Sequence, residues 1–259
     1  MTGKLAKRLV LASIVLVSQA MAVPKHQQLP DLKLYQAVLD QYVHPDGRVD
    51  YAGIRRNSGP LEQFVAQIAA ISPDSAPAAF VGEAARLSYW INAYNALVLY
   101  AFAREYPEKR NRLHGIIGRA HFFYKMQHRV GGRLRSLANI EDAKIRSMGD
   151  PRIHFVIVCA SKSCPWLSRT AFTPANLKQQ LETETQRYWA QTRNFRLDEG
   201  TGEVWLPKIL DWFRSDFGGT PAAIQGFVAR YRPGNRERLL TMTNRIRYFE
   251  YDWSPNDIR

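Results

Sequence analysis

The sequence predicts an α+β fold in a single domain, with a central buried helix packed on a small, mainly antiparallel sheet. Three observations predict it. The stretch from about Val81 to Arg104 is apolar nearly all the way round (Leu87, Tyr89, Trp90, Ile91, Tyr94, Leu97, Val98, Tyr100, Phe102), and a helix without a wet face is a central one. Two pairs of short runs flank glycine turns, His128 to Arg135 around Gly131-Gly132 and Phe195 to Leu206 around Glu199-Gly200-Thr201-Gly202, which reads as two hairpins. Between them, Ile153 to Val158 is β-branched and aromatic enough for an interior strand.

In order along the chain, residues 1–22 have a basic start (Lys4, Lys7, Arg8), an apolar stretch from Leu9 to Val17 and a small-residue exit at Ala20-Met21-Ala22. That is the pattern of a cleaved bacterial-type secretory signal, and the run falls short of the roughly 20 residues a bilayer span needs. Residues 23–31 form a polar, mobile lead, and the domain is expected over 32–259. Leu32 to Val43 has helical spacing, ended by His44-Pro45-Asp46-Gly47. Arg48 to Tyr51 is a short extended piece, Leu61 to Ile71 a second amphipathic helix, and Asp74 to Ala79 a connector. The long central helix ends at Glu105-Tyr106-Pro107 and is followed by a basic stretch, Lys109 to Arg119. After the first hairpin, Asn139 is a suitable cap for a short helix through Met148, with Glu141 and Asp142 in its first turn. Helices are then expected over about Ala175–Thr192, Leu206–Phe217 and Pro221–Tyr231, and a terminal strand over Arg247–Trp253.

The apolar fraction of 46% supports a sizeable core. Formal charge is +13, or +10 once Lys4, Lys7 and Arg8 leave with the signal. In an exported protein the excess suits anionic envelope polymers or lipid head groups as well as nucleic acid, but Lys and Arg are dispersed rather than striped, as on a merely soluble basic surface, and nucleic acid is not the expected partner. No segment of the mature chain is long and apolar enough to span a membrane. Phosphate loops, dinucleotide fingerprints and a His-Glu-x-x-His zinc signature are absent, and no cofactor or metal is expected.

Chemistry concentrates at the end of the Ile153–Val158 run, where Cys159-Ala160-Ser161-Lys162-Ser163-Cys164-Pro165 has loop composition. Cys159 and Cys164 are the only cysteines, and an oxidising compartment favours a disulfide between them. On a regular strand His154 and Cys159 lie about 16 Å apart on opposite faces, so they form no dyad. Cys164 is the thiol the turn can fold back, and it is the candidate nucleophile. His154 is the candidate acid or base, with Glu141 the nearest carboxylate in sequence to orient it. Asn92 and Asn95, three apart on the central helix, either pin loops onto it or line a polar pocket with Cys159 and Ser161, donating to a developing oxyanion. His121 is a second imidazole with no assigned place.

Taken together, Trp90-Ile91-Asn92-Ala93-Tyr94-Asn95-Ala96-Leu97, Ile140-Glu141 with Ile145-Arg146, Asp150-Pro151-Arg152-Ile153-His154-Phe155 running into Cys159-Ala160-Ser161 and Ser163-Cys164-Pro165, and Tyr251-Asp252-Trp253 resemble the domain of unknown function 547 family. Val49-Asp50-Tyr51, Leu206 to Lys208, Trp212-Phe213 and Asp216-Phe217 look like its flanking motifs, so the resemblance runs from about Leu32 to Asn256. It implies an exported, single-domain bacterial member, periplasmic or secreted. The position after Glu141, often histidine in that family, is Asp142 here. A central polar helix followed by a histidine-bearing strand is also similar in outline to papain-like and transglutaminase-like folds, but no cysteine lies in Val81 to Arg104 to serve as their nucleophile. Two functions are expected on these grounds: a hydrolase or acyl-transfer enzyme acting on a small molecule or cell-envelope component, or a non-catalytic binding or scaffold module for an anionic envelope partner.

Overall fold

A computed structural model describes residues 28–105, 115–198, 200–241 and 245–258. The expected signal at 1–22, most of the lead at 23–31 and residues 109–114 of the basic stretch lie outside the described residues. The fold is α+β: many helices with one two-stranded and one three-stranded sheet.

Helix α1 (Leu32–Tyr42) starts where the Asp31 side chain accepts a hydrogen bond from the Lys33 amide, and buries Tyr35, Val38, Leu39 and Tyr42, one stripe at helical spacing. Asp50 caps α2 (Tyr51–Arg56) in the same way, so Tyr51 is helical rather than extended. Helix α3 (Gly59–Ala70) stacks Phe64 on Tyr35 of α1, ring centroids 5.1 Å apart. The central helix α4 (Glu83–Glu105) is buried along most of its length. Its neighbours are α2, α3, later helices and extended segments rather than a sheet face.

After α4 come α5 (Ile116–Ala120) and a π-helical turn at His121–Lys125. Strands β1 (His128–Val130) and β2 (Arg133–Arg135) form the first predicted hairpin, with Gly131 and Gly132 at φ +56° and +80°. The turn amides of both glycines donate to Ile68 and Ala69 carbonyls at the end of α3, at 2.9 and 2.8 Å, which satisfies groups a helix end leaves open.

Helix α6 (Leu137–Ile140) is capped by Ser136, whose hydroxyl accepts the Asn139 amide, and not by Asn139. It passes at once into a π-helical turn, Glu141–Ile145, and a 3-10 turn, Arg146–Met148. Glu141 and Asp142 therefore sit on the π-turn, not in the first turn of a regular helix.

The expected interior strand from Ile153 does not form. Asp150 caps a 3-10 helix over Pro151–Phe155, its carboxylate accepting the Arg152 amide at 3.0 Å, and the Asp-Pro start signal prevails over the β-branched residues behind it. Val156 is still a turn, at ψ -17°, and residues 157–159 pass on without regular structure. A single side chain takes the place of a strand partner: the Asn95 amide donates to the Val156 carbonyl (2.9 Å) and its oxygen accepts the Val158 amide (3.1 Å).

Helix α7 (Leu177–Ala190) comes next, and then the second predicted hairpin, β3 (Arg196–Asp198) against β4 (Glu203–Leu206), antiparallel. Short α8 (Ile209–Trp212), a 3-10 turn at Arg214–Phe217, α9 (Pro221–Tyr231) and α10 (Arg236–Thr241) lead to β5 (Arg245–Tyr248), which joins β4 in parallel. The terminal strand thus ends at Tyr248. Residues 251–258 instead stitch two loops together: Lys162 donates to Ser254, Ser163 to Asp252 and Val49 to Asn256, all through backbone amides.

Two hydrophobic clusters result. The larger is built on α1–α4; the smaller holds Tyr188, Trp189, Leu206, Phe217 and Phe227. Phe155 belongs to the second although its neighbours Ile153 and Val156 belong to the first, so the 3-10 helix is the seam between them.

Candidate active site

A cleft of about 490 Å³ opens at that seam. It is lined by Tyr94 of α4, Glu141 of the π-turn, and Cys159 and Cys164. Aromatic rings form the second wall: Trp212, Tyr251 and Trp253 lie against one another with centroids 4.5–5.6 Å apart, and Arg119 sits 4.6 Å over the Trp253 ring. Phe123 and Tyr124 face the cleft from the other side of the chain.

The cysteine turn is held from both ends. Ala160, at φ +60°, is the one non-glycine with a left-handed backbone among the described residues. The Asn95 clamp fixes the entry, and the 252–254 segment fixes the middle. Local strain of this kind persists only where surrounding contacts impose it. Cys159, half-buried, has Ser161 Oγ at 3.0 Å and Tyr251 Oη at 3.2 Å from its sulfur. Cys164 is buried, and its sulfur accepts the Cys159 backbone amide at 2.9 Å. The two cysteines approach to 3.0 Å and are not bonded, so the expected disulfide is open in this structure.

Their environments separate the thiols. Burial pushes Cys159 up, but hydrogen bonds with Cys164, Ser161 and Tyr251 outweigh it and hold the thiol below its ordinary value. Cys164 is pushed well up, by burial first and then by the neighbouring Cys159 sulfur. The two shifts run in opposite directions, Cys159 toward the thiolate and Cys164, singled out in the sequence as candidate nucleophile, away from it.

Glu141 accepts a hydrogen bond from Tyr94 Oη at 3.0 Å. Burial raises its carboxyl to about 7, the Tyr94 bond pulling the other way. It is not the orienter of His154. That role falls to Asp216, whose Oδ2 is 2.8 Å from His154 Nε2. Asp216 is in turn gripped by Arg146 through Nε (2.7 Å) and Nη2 (2.9 Å), and Arg146 also donates to Asp142 at 2.6 Å. Arg146 and His154 hold the Asp216 carboxylate well below its usual range. His154, its side chain 1% exposed and its ring stacked 4.1 Å from Phe213, is lowered to about 4 by burial, against the pull of Asp216. At neutral pH it is an uncharged imidazole donating to a carboxylate, not an ion pair.

Of the residues the sequence singled out, His154, Glu141, Cys159 and Cys164 are brought to one cleft. Ser161 touches it through the Cys159 sulfur. Asn92 and Asn95 do not line it. Asn92 clamps Phe172 through both backbone groups, at 2.8 and 2.9 Å, as Asn95 clamps 156–158, so neither amide is free for an oxyanion. His121 is exposed and takes no part. The partners sequence reasoning missed are Asp216, Arg146, Tyr94 and Tyr251. Asp216 and Tyr251 lie in recognisable motifs, but their separations of 62 residues from His154 and 92 from Cys159 leave no spacing to read. Among the described residues no group of three or more His, Cys, Asp or Glu side chains is placed to hold a metal ion, and no helix is long and apolar enough to cross a membrane.

Residues 79–189 match the family described as Protein of unknown function, DUF547. Over that span the chain is similar to the DUF547 family. The matched span is shorter than the Leu32–Asn256 resemblance read from motifs. It contains Tyr94, Glu141, Arg146, His154 and both cysteines, while Asp216 and the wall of Trp212, Tyr251 and Trp253 lie beyond it. No curated protein and no solved structure matches the chain.

Proposed function

We propose that the chain is exported and that the cleft is the active site of a hydrolase or acyl-transfer enzyme acting on a cell-envelope component, with Cys159 as nucleophile and Glu141 as proton carrier. The observation that carries this reading is the Cys159 sulfur flanked by two hydroxyls in the same cleft as a carboxyl raised to about 7. The Cys159 thiolate attacks the acyl carbon, and protonated Glu141 gives its proton to the departing group. Water or an acceptor amine then loses a proton to the Glu141 carboxylate and attacks the thioester, releasing Cys159. His154 is a positioning residue: it holds Asp216, which aims Arg146 along the cleft wall. The stacked rings suit an extended substrate.

The test uses p-nitrophenyl acetate and intact-mass analysis. The wild type is expected to carry one acetyl group on Cys159 and to turn over, Cys159→Ala to carry none, and Glu141→Gln to lose roughly a hundredfold in turnover. Equal labelling of wild type and Cys159→Ala would sink the catalytic reading. The module reading, favoured by the use of both asparagines as internal clamps, would then remain.

A further inference from the structure

We propose that Cys159 and Cys164 form a thiol–disulfide exchange pair, Cys159 the attacking sulfur and Cys164 the resolving one, acting on a disulfide presented at the mouth of the aromatic cleft. The pair is asymmetric in access. Both cysteines line the cleft, but Cys159 is half-buried whereas Cys164 is 4% exposed. The fold holds the two together across a turn whose Ala160 is left-handed and whose amides at Lys162 and Ser163 are tied to the 252–254 segment. The 3.0 Å approach needs little movement to become a bond.

The hydroxyls argue against a permanent bridge. The Ser161 and Tyr251 hydroxyls lie 3.0 and 3.2 Å from the Cys159 sulfur; Ser161 Oγ donates to Tyr251 Oη, whose own proton is then placed to stabilise a thiolate, a species that a lasting structural disulfide never forms. The thiol lowered in pKa is the more exposed of the two and the raised one the more buried, which is the order attack and resolution require.

The steps balance. The Cys159 thiolate attacks one sulfur of a disulfide R–S–S–R′, forms a mixed disulfide and expels R′S⁻. Cys164, losing its proton to solvent, then attacks the Cys159 sulfur, expels RS⁻ and closes the Cys159–Cys164 bond. The substrate is reduced by two electrons and the pair oxidised by two; a dithiol reductant returns it. The inference shares Cys159 with the acyl-transfer reading but needs neither Glu141 nor an acyl substrate.

The experiment mixes the reduced full-length chain with glutathione disulfide and follows intact mass. The wild type is expected to lose two hydrogens, close one bridge and release both glutathiones, and dithiothreitol to restore both thiols with an unchanged circular dichroism spectrum. Cys164→Ser is expected to stop at a glutathione adduct on Cys159, and Cys164→Ala gives the same readout should the serine variant fail to fold. Cys159→Ser is expected to react roughly tenfold more slowly or less. Failure of the bridge to close, a Cys159→Ser variant as fast as wild type, or a bridge that dithiothreitol opens only as the chain unfolds would overturn the proposal. Acetylation of Cys159 without bridge closure removes exchange and leaves acyl transfer; closure in a chain that is never acetylated does the reverse.

Discussion

Glu141 carries the clearest consequence of burial for a single residue. Unfolded, its carboxyl ionises at the ordinary 4.5; folded, it ionises near 7. Between those values the native state holds the extra proton, so this group's contribution to stability falls as pH rises, and the loss is complete above about 7. Glu141→Gln keeps an oxygen for Tyr94 and removes the titration. Its stability relative to wild type is expected to improve by about 2 kcal/mol between pH 5 and pH 8, read from urea denaturation at both values. A difference that does not change with pH would refute the buried carboxyl. His154 and His128, both lowered to about 4 by burial, lose stability as pH falls from 6.5 toward 4, but they do so in both proteins and cancel.

At the scale of elements, an amide side chain replaces a strand. The residues behind Asp150-Pro151 have β character, yet the cap and the proline begin a 3-10 helix, and Asn95 alone supplies the pairing for residues 156–158. The first hairpin is the opposite case, its turn type legible from Gly131-Gly132 directly. The two glycines are not equivalent. A Cβ on Gly131 would lie 2.0 Å from Ser72 Oγ and 2.7 Å from Ser72 Cβ, whereas Gly132 faces open space, both at positive φ. Gly131→Ala is expected to cost about 2–3 kcal/mol, and Gly132→Asn less than about 1 kcal/mol. Chemical denaturation of the two variants checks this, and equal costs would contradict the docking of the turn on α3.

For the whole molecule, Phe155 joins the two cores. Its ring packs on Tyr188, Trp189, Phe217 and Phe227, with centroids 4.7–6.0 Å away, while its chain neighbours are in the other cluster. If residues 32–259 fold as one unit, Phe155→Ala costs about 3–5 kcal/mol, and tryptophan fluorescence and circular dichroism still report a single coincident transition. Phe155→Leu is expected to cost about 1 kcal/mol. Two separated transitions would divide the chain at the seam and open the cleft between independent parts.

What depends on neighbours along the chain can be read from its residues: the α+β class, a central helix with no wet face, both hairpins, and the concentration of cysteines in one turn. The sequence also named four of the cleft's residues, because His154, Glu141, Cys159 and Cys164 stand out by type. Their partners are set by the tertiary structure alone. Asp216 beside His154, Tyr94 beside Glu141 and Tyr251 beside Cys159 arrive from 47 to 92 residues away. The opposite shifts of the two thiols likewise arise there, since burial and hydrogen bonds that set a pKa are properties of the packed interior, and no local spacing encodes them.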